Sequence, residues 1–281
     1  MESWSTLVDV DGLAQRLGDD DLVVLDCRHI LTDPKAGEAM HAAGHIPGAF
    51  HAHVDRDLSG PVGRTTGRHP LPDADAFRAT ASRWGVDAAT QVVAYDDKGG
   101  IWAARAWWLF RDFGHRAVAV LDGGLPAWVA AGHPLSTEAP RRAPRRFEGR
   151  PLHMPTVTTW DMTTRAPRRL FDARAPERYR GDTEPIDPVG GHIRGAVNMP
   201  TGGNLGEDGR FLSRVALRAK YEKVLAGLPA REAAVYCGSG VTAPHDILAM
   251  EHAGLPGAAL YPGSWSEWIR NPLRPVARGD E

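Results

Sequence analysis

Residues Ala233–Ala253 read AAVYCGSGVTAPHDILAMEHA. Ala233–Tyr236 has the small and β-favouring side chains of a short buried strand. Pro244 suits the first turn of a helix, His245–Ala253 has helical composition, and Gly254 supplies a stop. Cys237 therefore falls where a strand ends and a helix begins, followed by Gly238, Ser239, Gly240, Val241 and Thr242. Two glycines let the backbone curl so that successive N–H groups face inward. Such a nest, at the positive end of a helix, stabilises an anion. The anion on offer is the Cys237 thiolate, whose pKa a helix N-terminus can lower by several units. A cysteine after a strand otherwise reads as a small buried hydrophobe. The Gly-Ser-Gly that follows favours the reactive thiol.

The rest of the chain repeats this plan once. Leu22–Arg28, LVVLDCR, is echoed by Leu170–Arg174, LFDAR, and Gly44–Phe50, GHIPGAF, by Gly191–Asn198, GHIRGAVN. The strand Val92–Tyr95 matches Ala234–Tyr236, and Ala117–Trp128, AVAVLDGGLPAW, matches Ala258–Trp268, AALYPGSWSEW. Order and spacing are kept, which is a duplication into two domains rather than a solenoid. Helical stretches at Asp73–Gly85, Ile101–Phe113 and Ser213–Leu225 alternate with the strands, so each half is an α/β domain, a parallel sheet with helices on both faces. The expected boundaries are 1–138 and 154–281, with an exposed Arg- and Pro-rich linker at 139–153. Ligands of such sheets bind beyond the carboxyl ends of the strands, where Cys237 stands. Asp96 holds the matching place in the first half, so only the second half is expected to be catalytic.

With 281 residues, 42% hydrophobic and 24% charged, the chain has the composition of a soluble globular protein. A net charge of -2 gives no general pull toward nucleic acid or membrane. The opening MESWSTLVDVDG lacks the basic start and apolar run of a signal peptide. Two cysteines, Cys27 and Cys237, make no disulfide framework, and a reducing, cytoplasmic setting follows as the expectation. His41, His45, His51 and His53 crowd the first Gly-His-Ile loop without the thiol or carboxylate partners of a metal site, so ordinary hydrogen-bonding roles are expected of them, as of His192.

On both GHI-x-GA motifs, the CGSGVTA loop, the Tyr261–Trp268 ending and the first copy without its cysteine, the chain resembles the two-domain rhodaneses. These are sulfurtransferases of the thiosulfate and 3-mercaptopyruvate group. The resemblance implies two tandem rhodanese-like domains and a Cys237 that carries sulfur as a persulfide. Gly238, Ser239, Gly240, Val241 and Thr242 would form its loop. It implies no cofactor and no metal. The partners it implies are a small-molecule sulfur donor, a thiol or cyanide acceptor and a thioredoxin-like reductant, and the chain is expected to be a monomer. Arg178 matches the arginine that faces the donor's anionic end, a role suited to a guanidinium fork. Asp55 and His69 resemble the acid and histidine that join the loop serine, here Ser239, in a proton-handling triad. The second donor arginine of the mercaptopyruvate enzymes is absent, its region reading Glu184-Pro-Ile-Asp187-Pro. Thiosulfate-preferring members place basic side chains directly after the cysteine, where Gly238 and Ser239 stand here. The resemblance therefore favours 3-mercaptopyruvate, with thiosulfate as the alternative donor.

Three rivals use parts of the same stretch. A cysteine phosphatase needs an arginine where Ala243 stands. Gly238–Ala243 formally fits a dinucleotide-binding turn, but the acid expected on the next strand is missing, since that strand ends at Tyr261. A non-catalytic sulfur- or protein-binding module would not need the intact cysteine.

Overall fold

The computed structural model describes residues 3–280. The chain divides into two compact units. One comprises the residues up to Gly60, Pro72–Met154 and Glu207–Phe211; the other comprises Pro61–Leu71, Pro155–Gly206 and Leu212 onward.

The first unit carries strands β1 (Leu7–Val8), β2 (Leu22–Asp26), β3 (Phe50–His51), β4 (Gln91–Tyr95) and β5 (Val118–Leu121). They form one parallel sheet in the order β1-β5-β4-β2-β3. β2 and β4 are buried on both faces, which is why their apolar residues run on without alternating. Leu22, Val24, Val93, Tyr95, Ala119 and Leu121 gather with Val10, Leu13 and Trp128 in one core. Each large aliphatic side chain so buried contributes about 1.5–3 kcal/mol. The helix Ala74–Arg83 starts where the Asp73 carboxylate accepts the Ala76 N–H at 2.9 Å. The helix Ala103–Asp112 buries Trp107 and Trp108 completely.

The second unit carries β6 (Arg169–Asp172), β7 (His192–Ile193), β8 (Val197–Asn198), β9 (Ala233–Tyr236), β10 (Ala259–Leu260) and β11 (Val276–Ala277). A parallel sheet runs β10-β9-β6-β8, and β11 pairs antiparallel with β7. The helices Arg214–Leu225 and Ala243–His252 flank it. Its core includes Leu170, Ala234, Tyr236, Trp265 and Trp268.

The repeated motifs owe their spacing to a buried lock. In the first unit Arg28 Nη2 donates to Asp26 Oδ2 at 2.5 Å and to Gly44 O at 2.7 Å. The Tyr95 hydroxyl donates to the same carboxylate and accepts the Ile46 N–H at 3.1 Å. In the second unit Arg174 Nη2 reaches Asp172 Oδ2 and Gly191 O, each at 2.6 Å, and Tyr236 accepts the Ile193 N–H at 3.0 Å. The Asp-x-Arg at a strand end and the Gly-His-Ile downstream are thus two halves of one contact.

Two sequence expectations need amending. The segment 139–153 has no regular structure, but it is not a free linker. Arg142 donates to Leu22 O and Asp20 O, Arg145 pairs with Asp87, and Phe147 packs on Phe77 and Phe110. Exposed backbone carbonyls of the first unit need donors, and these arginines supply them. Secondly, Pro61–Leu71, which sequence order counts with the first half, belongs to the second unit. Arg68 N–H donates to Ser266 Oγ at 3.1 Å, and Arg270 donates to Arg64 O.

Of the histidines expected to have ordinary hydrogen-bonding roles, His41, His45, His53 and His192 have them, whereas both ring nitrogens of His51 are buried without a partner among the described residues. His41 Nε2 donates to Ala49 O at 2.8 Å, His45 lies 2.7 Å from His41 O, and His192 lies 2.9 Å from Tyr179 O. Among the described residues no group of three His, Cys, Asp or Glu is arranged to hold a metal. No helix among them is long and apolar enough to cross a membrane. Cys27 is fully buried, and burial, then the Asp96, Asp26 and Asp57 charges, push its thiol well above the ordinary range.

Candidate active site

Cys237 follows the last residue of β9, and the helix Ala243–His252 begins six residues later. Gly240 N–H donates to Cys237 Sγ at 3.2 Å. Gly240 has φ +82°, and a Cβ there would meet Pro262 O at 2.3 Å, so only glycine closes this turn. Thr242 precedes the helix but makes no side-chain cap bond; its hydroxyl goes to the sulfur instead. Burial would push the thiol up. The Thr242 hydroxyl and the N–H groups of Ser239, Ala243 and Thr242 outweigh it, and the thiol sits below its ordinary range. Val241 is buried in the same turn.

The first unit shows what this loop is built to hold. Asp96 Oδ1 accepts the N–H groups of Lys98 and Gly100, each at 2.8 Å; Oδ2 accepts those of Trp102 at 2.7 Å and Ala103 at 3.0 Å. With one extra residue in the first loop, these four donors correspond to Ser239, Gly240, Thr242 and Ala243. The same nest surrounds a carboxylate in one copy and a sulfur in the other. Burial prevails at Asp96, whose carboxyl stays above its usual range.

A second correspondence concerns the residue behind the cysteine. In the first unit Gly124 has φ +56°; its counterpart Ser264 has φ +53°, a region that costs a non-glycine residue on the order of 1–3 kcal/mol. Ser264 Oγ accepts the Cys237 N–H at 3.1 Å and donates to Tyr261 O at 2.9 Å. The strain is tolerated where a hydroxyl ties down the backbone of the sulfur-bearing residue.

His69 Nδ1 lies 2.7 Å from Ser239 Oγ, both buried within the second unit. Asp55 belongs to the first unit, where its carboxylate is 3.9 Å from His53 Nδ1. Arg178 donates to Glu184 through Nε at 3.1 Å and Nη2 at 2.7 Å, and to Asp187 at 3.3 Å. Burial, then the Arg178 bonds, act on Glu184 in opposite senses, and its carboxyl ends below the usual range. Arg68 Nη1 pairs with Asp187 Oδ1. Gly238 faces both guanidinium groups: a Cβ built there would lie 3.1 Å from Arg68 Nη2 and 3.6 Å from Arg178 Nη2.

Arg68, Asp187 and Ser264 were not among the residues singled out from sequence. Ser264 had a signal, a serine where the first copy has the second glycine of Gly123–Gly124. Arg68 had only its place beside His69.

The Rhodanese-like domain family matches residues 9–131 and 158–271. The chain is 47% identical over 283 residues to the "Probable 3-mercaptopyruvate sulfurtransferase" of Pseudomonas aeruginosa, covering 99% of this chain and 100% of that protein. It is 36% identical over 260 residues to the thiosulfate sulfurtransferase of Rattus norvegicus, covering 89% and 85%. The solved 3-mercaptopyruvate sulfurtransferase from Leishmania major is similar with a TM-score of 0.85 at 30% identity, over 96% of this chain and 76% of that one.

Proposed function

The chain belongs to the rhodanese family of sulfurtransferases, and from that premise we propose that it moves sulfur from 3-mercaptopyruvate to a thiol or cyanide acceptor through a persulfide on Cys237. The observation that carries this is the thiol held below its ordinary range by loop donors, with a His69–Ser239 hydrogen bond in the same unit.

In the first step the Cys237 thiolate attacks the donor's sulfur, the S–C bond breaks, and its electron pair leaves with carbon as the pyruvate enolate. The proton carried by the donor's thiol passes by way of Ser239 and His69 to the enolate carbon, giving pyruvate and a persulfide anion. Asp55 is assigned to this relay by the resemblance. The loop N–H groups then serve the persulfide as they served the thiolate. In the second step the acceptor attacks the outer sulfur and Cys237 departs as thiolate. Thiosulfate is the alternative donor, with sulfite as its leaving group and no proton to relay. The reading includes a monomer acting in the cytoplasm, with a thioredoxin-like protein as one acceptor. Two free cysteines, both buried, support a reducing setting.

Mass spectrometry of the protein after brief exposure to 3-mercaptopyruvate tests the proposal. A gain of one sulfur atom on Cys237 is expected; sulfur on Cys27 alone, or on neither cysteine, would overturn it.

A further inference from the structure

Past the short helix Ser264–Trp268, the second unit frames a cavity of about 620 Å³, within the roughly 300–1,000 Å³ of small-molecule sites. Val189, Ile269 and Val276, partly buried against the core of this unit, form an apolar wall with Pro272. Asn271, Arg274 and Arg278 complete the lining. Arg274 commits Nη1 to Glu267 O at 2.8 Å and Trp268 O at 3.1 Å, which closes the end of the helix. Its Nε and Nη2 have no partner among the described residues, and neither has the Arg278 guanidinium. No carboxylate among the described residues lines the cavity; Asp280, just past Arg278, acts on Tyr179 and Arg180. The first unit builds the same corner differently. Trp128 Nε1 donates to Pro134 O and Trp268 Nε1 to Pro275 O, each at 3.0 Å, but the second path is one residue longer. The residue before the proline is His133 in the first unit, its ring stacked 4.4 Å from Trp128; in the second it is Arg274, 5.7 Å from the Trp268 ring.

We propose that this cavity binds a medium-chain monocarboxylate, with its alkyl chain against Val189, Ile269, Val276 and Pro272 and its carboxylate on Arg278 and the spare donors of Arg274. A guanidinium presents its N–H groups in a flat fork that fits a carboxylate. The apolar wall alone would take any hydrophobe, and the arginines alone any anion. Together they call for both in one molecule. Elsewhere in this unit Arg174 and Arg178 are neutralised by buried carboxylates. Arg278 has no such partner, so the positive charge at this rim is uncompensated and favours an anion. The cavity is separate from the sulfur. Trp265 N–H donates to Cys237 O at 3.0 Å, while its indole N–H donates to Val189 O at 2.8 Å. The length of one tryptophan therefore lies between the cysteine loop and the cavity wall.

Isothermal titration calorimetry of the full chain with hexanoate and octanoate tests the proposal, with acetate and octylammonium as controls. Each buried methylene strengthens binding roughly fourfold, so octanoate should bind about tenfold more tightly than hexanoate. Acetate lacks the chain and octylammonium carries the opposite charge, so neither should bind measurably. Arg278→Glu, at an exposed position, should weaken octanoate by about tenfold or more. Asn271→Glu, also exposed, brings a like charge to the rim while leaving both arginines in place, and should weaken octanoate too. Far-UV circular dichroism identifies which variants are folded. Pyruvate, a carboxylate without the chain, should not displace octanoate. Equal affinity for hexanoate and octanoate, binding of octylammonium, or unchanged affinity in either folded variant overturns the proposal. Displacement by pyruvate overturns it as well, because it would place the octanoate carboxylate beside Cys237.

Discussion

His69 Nδ1 meets Ser239 Oγ at 2.7 Å across 170 residues of sequence. The serine's backbone N–H belongs to the sulfur's nest and its side chain to the histidine, so one residue joins charge stabilisation to proton handling. The two roles separate by mutation. Ser239→Ala keeps the N–H and removes the hydroxyl. With 3-mercaptopyruvate, kcat is expected to fall about a hundredfold, the lower end of what acid–base assistance supplies. With thiosulfate, which releases no enolate, it should change little. Steady-state rates with both donors decide it, and equal losses would count against a relay.

The thiolate itself is open to titration. The pH midpoint of Cys237 alkylation by iodoacetamide is expected below the free-thiol value of about 8.5. Thr242→Val removes the hydroxyl bond to sulfur and should move the midpoint up while leaving the loop glycines in place. A midpoint at or above the free-thiol value would contradict the nest argument. Cys27 should stay unlabelled in the folded protein at the same pH, since burial holds it as a thiol.

Asp246, on the helix that follows the loop, gives the fold a pH dependence. It is fully buried; Oδ1 accepts from Asn204 at 2.6 Å and from the Tyr221 hydroxyl at 3.1 Å, while Oδ2 has no partner. Burial raises its carboxyl to about 6, against about 3.9 unfolded. The native state therefore binds this proton more tightly than the unfolded chain. The stability it contributes is present at low pH and is lost as pH rises from about 4 through 6. Asp246→Asn fixes a neutral group there. In urea unfolding, wild-type stability minus that of the variant should fall by roughly 3 kcal/mol between pH 4 and pH 7. A constant difference would mean that Asp246 is ionised throughout.

The buried Asp172–Arg174 pair is a separate test of the repeat's lock. Arg174→Met leaves a carboxylate uncompensated at a site where both side chains are at most 1% exposed. Such a change costs about 3–5 kcal/mol. Denaturant melts should show that loss, with the Gly191–Ile193 segment the first to gain hydrogen exchange, because Gly191 O loses its donor. A loss below 1 kcal/mol would mean that the Gly-His-Ile turn holds without the lock.

Much of this was legible because it is local. Strand, glycines and helix start lie within ten residues around Cys237, and a local pattern survives in one dimension. The repeat was legible because the second copy carries the same punctuation. What escaped was long-range. The arginines at 142 and 145 look solvated in sequence because their acceptors are carbonyls near Asp20 and Gly85. Arg68 looks like a surface residue until folding brings it to Asp187, a contact over 119 positions. The motif reading noticed the missing arginine near Asp187 but had no means of seeing that an acid there meets a guanidinium from elsewhere.

Asp96 has one more consequence. Four N–H groups converge on its carboxylate, and their counterparts converge on Cys237. What the strand-to-helix corner requires is negative charge, whichever element bears it. Carbon-bound oxygen fills the requirement permanently and inertly. Sulfur fills it only while ionised, and so leaves the corner unsatisfied whenever it is capped by an alkyl group. The reactive form of this protein is thus also its architecturally complete form, and a covalent inhibitor that neutralises Cys237 would loosen the fold as well as silence the chemistry.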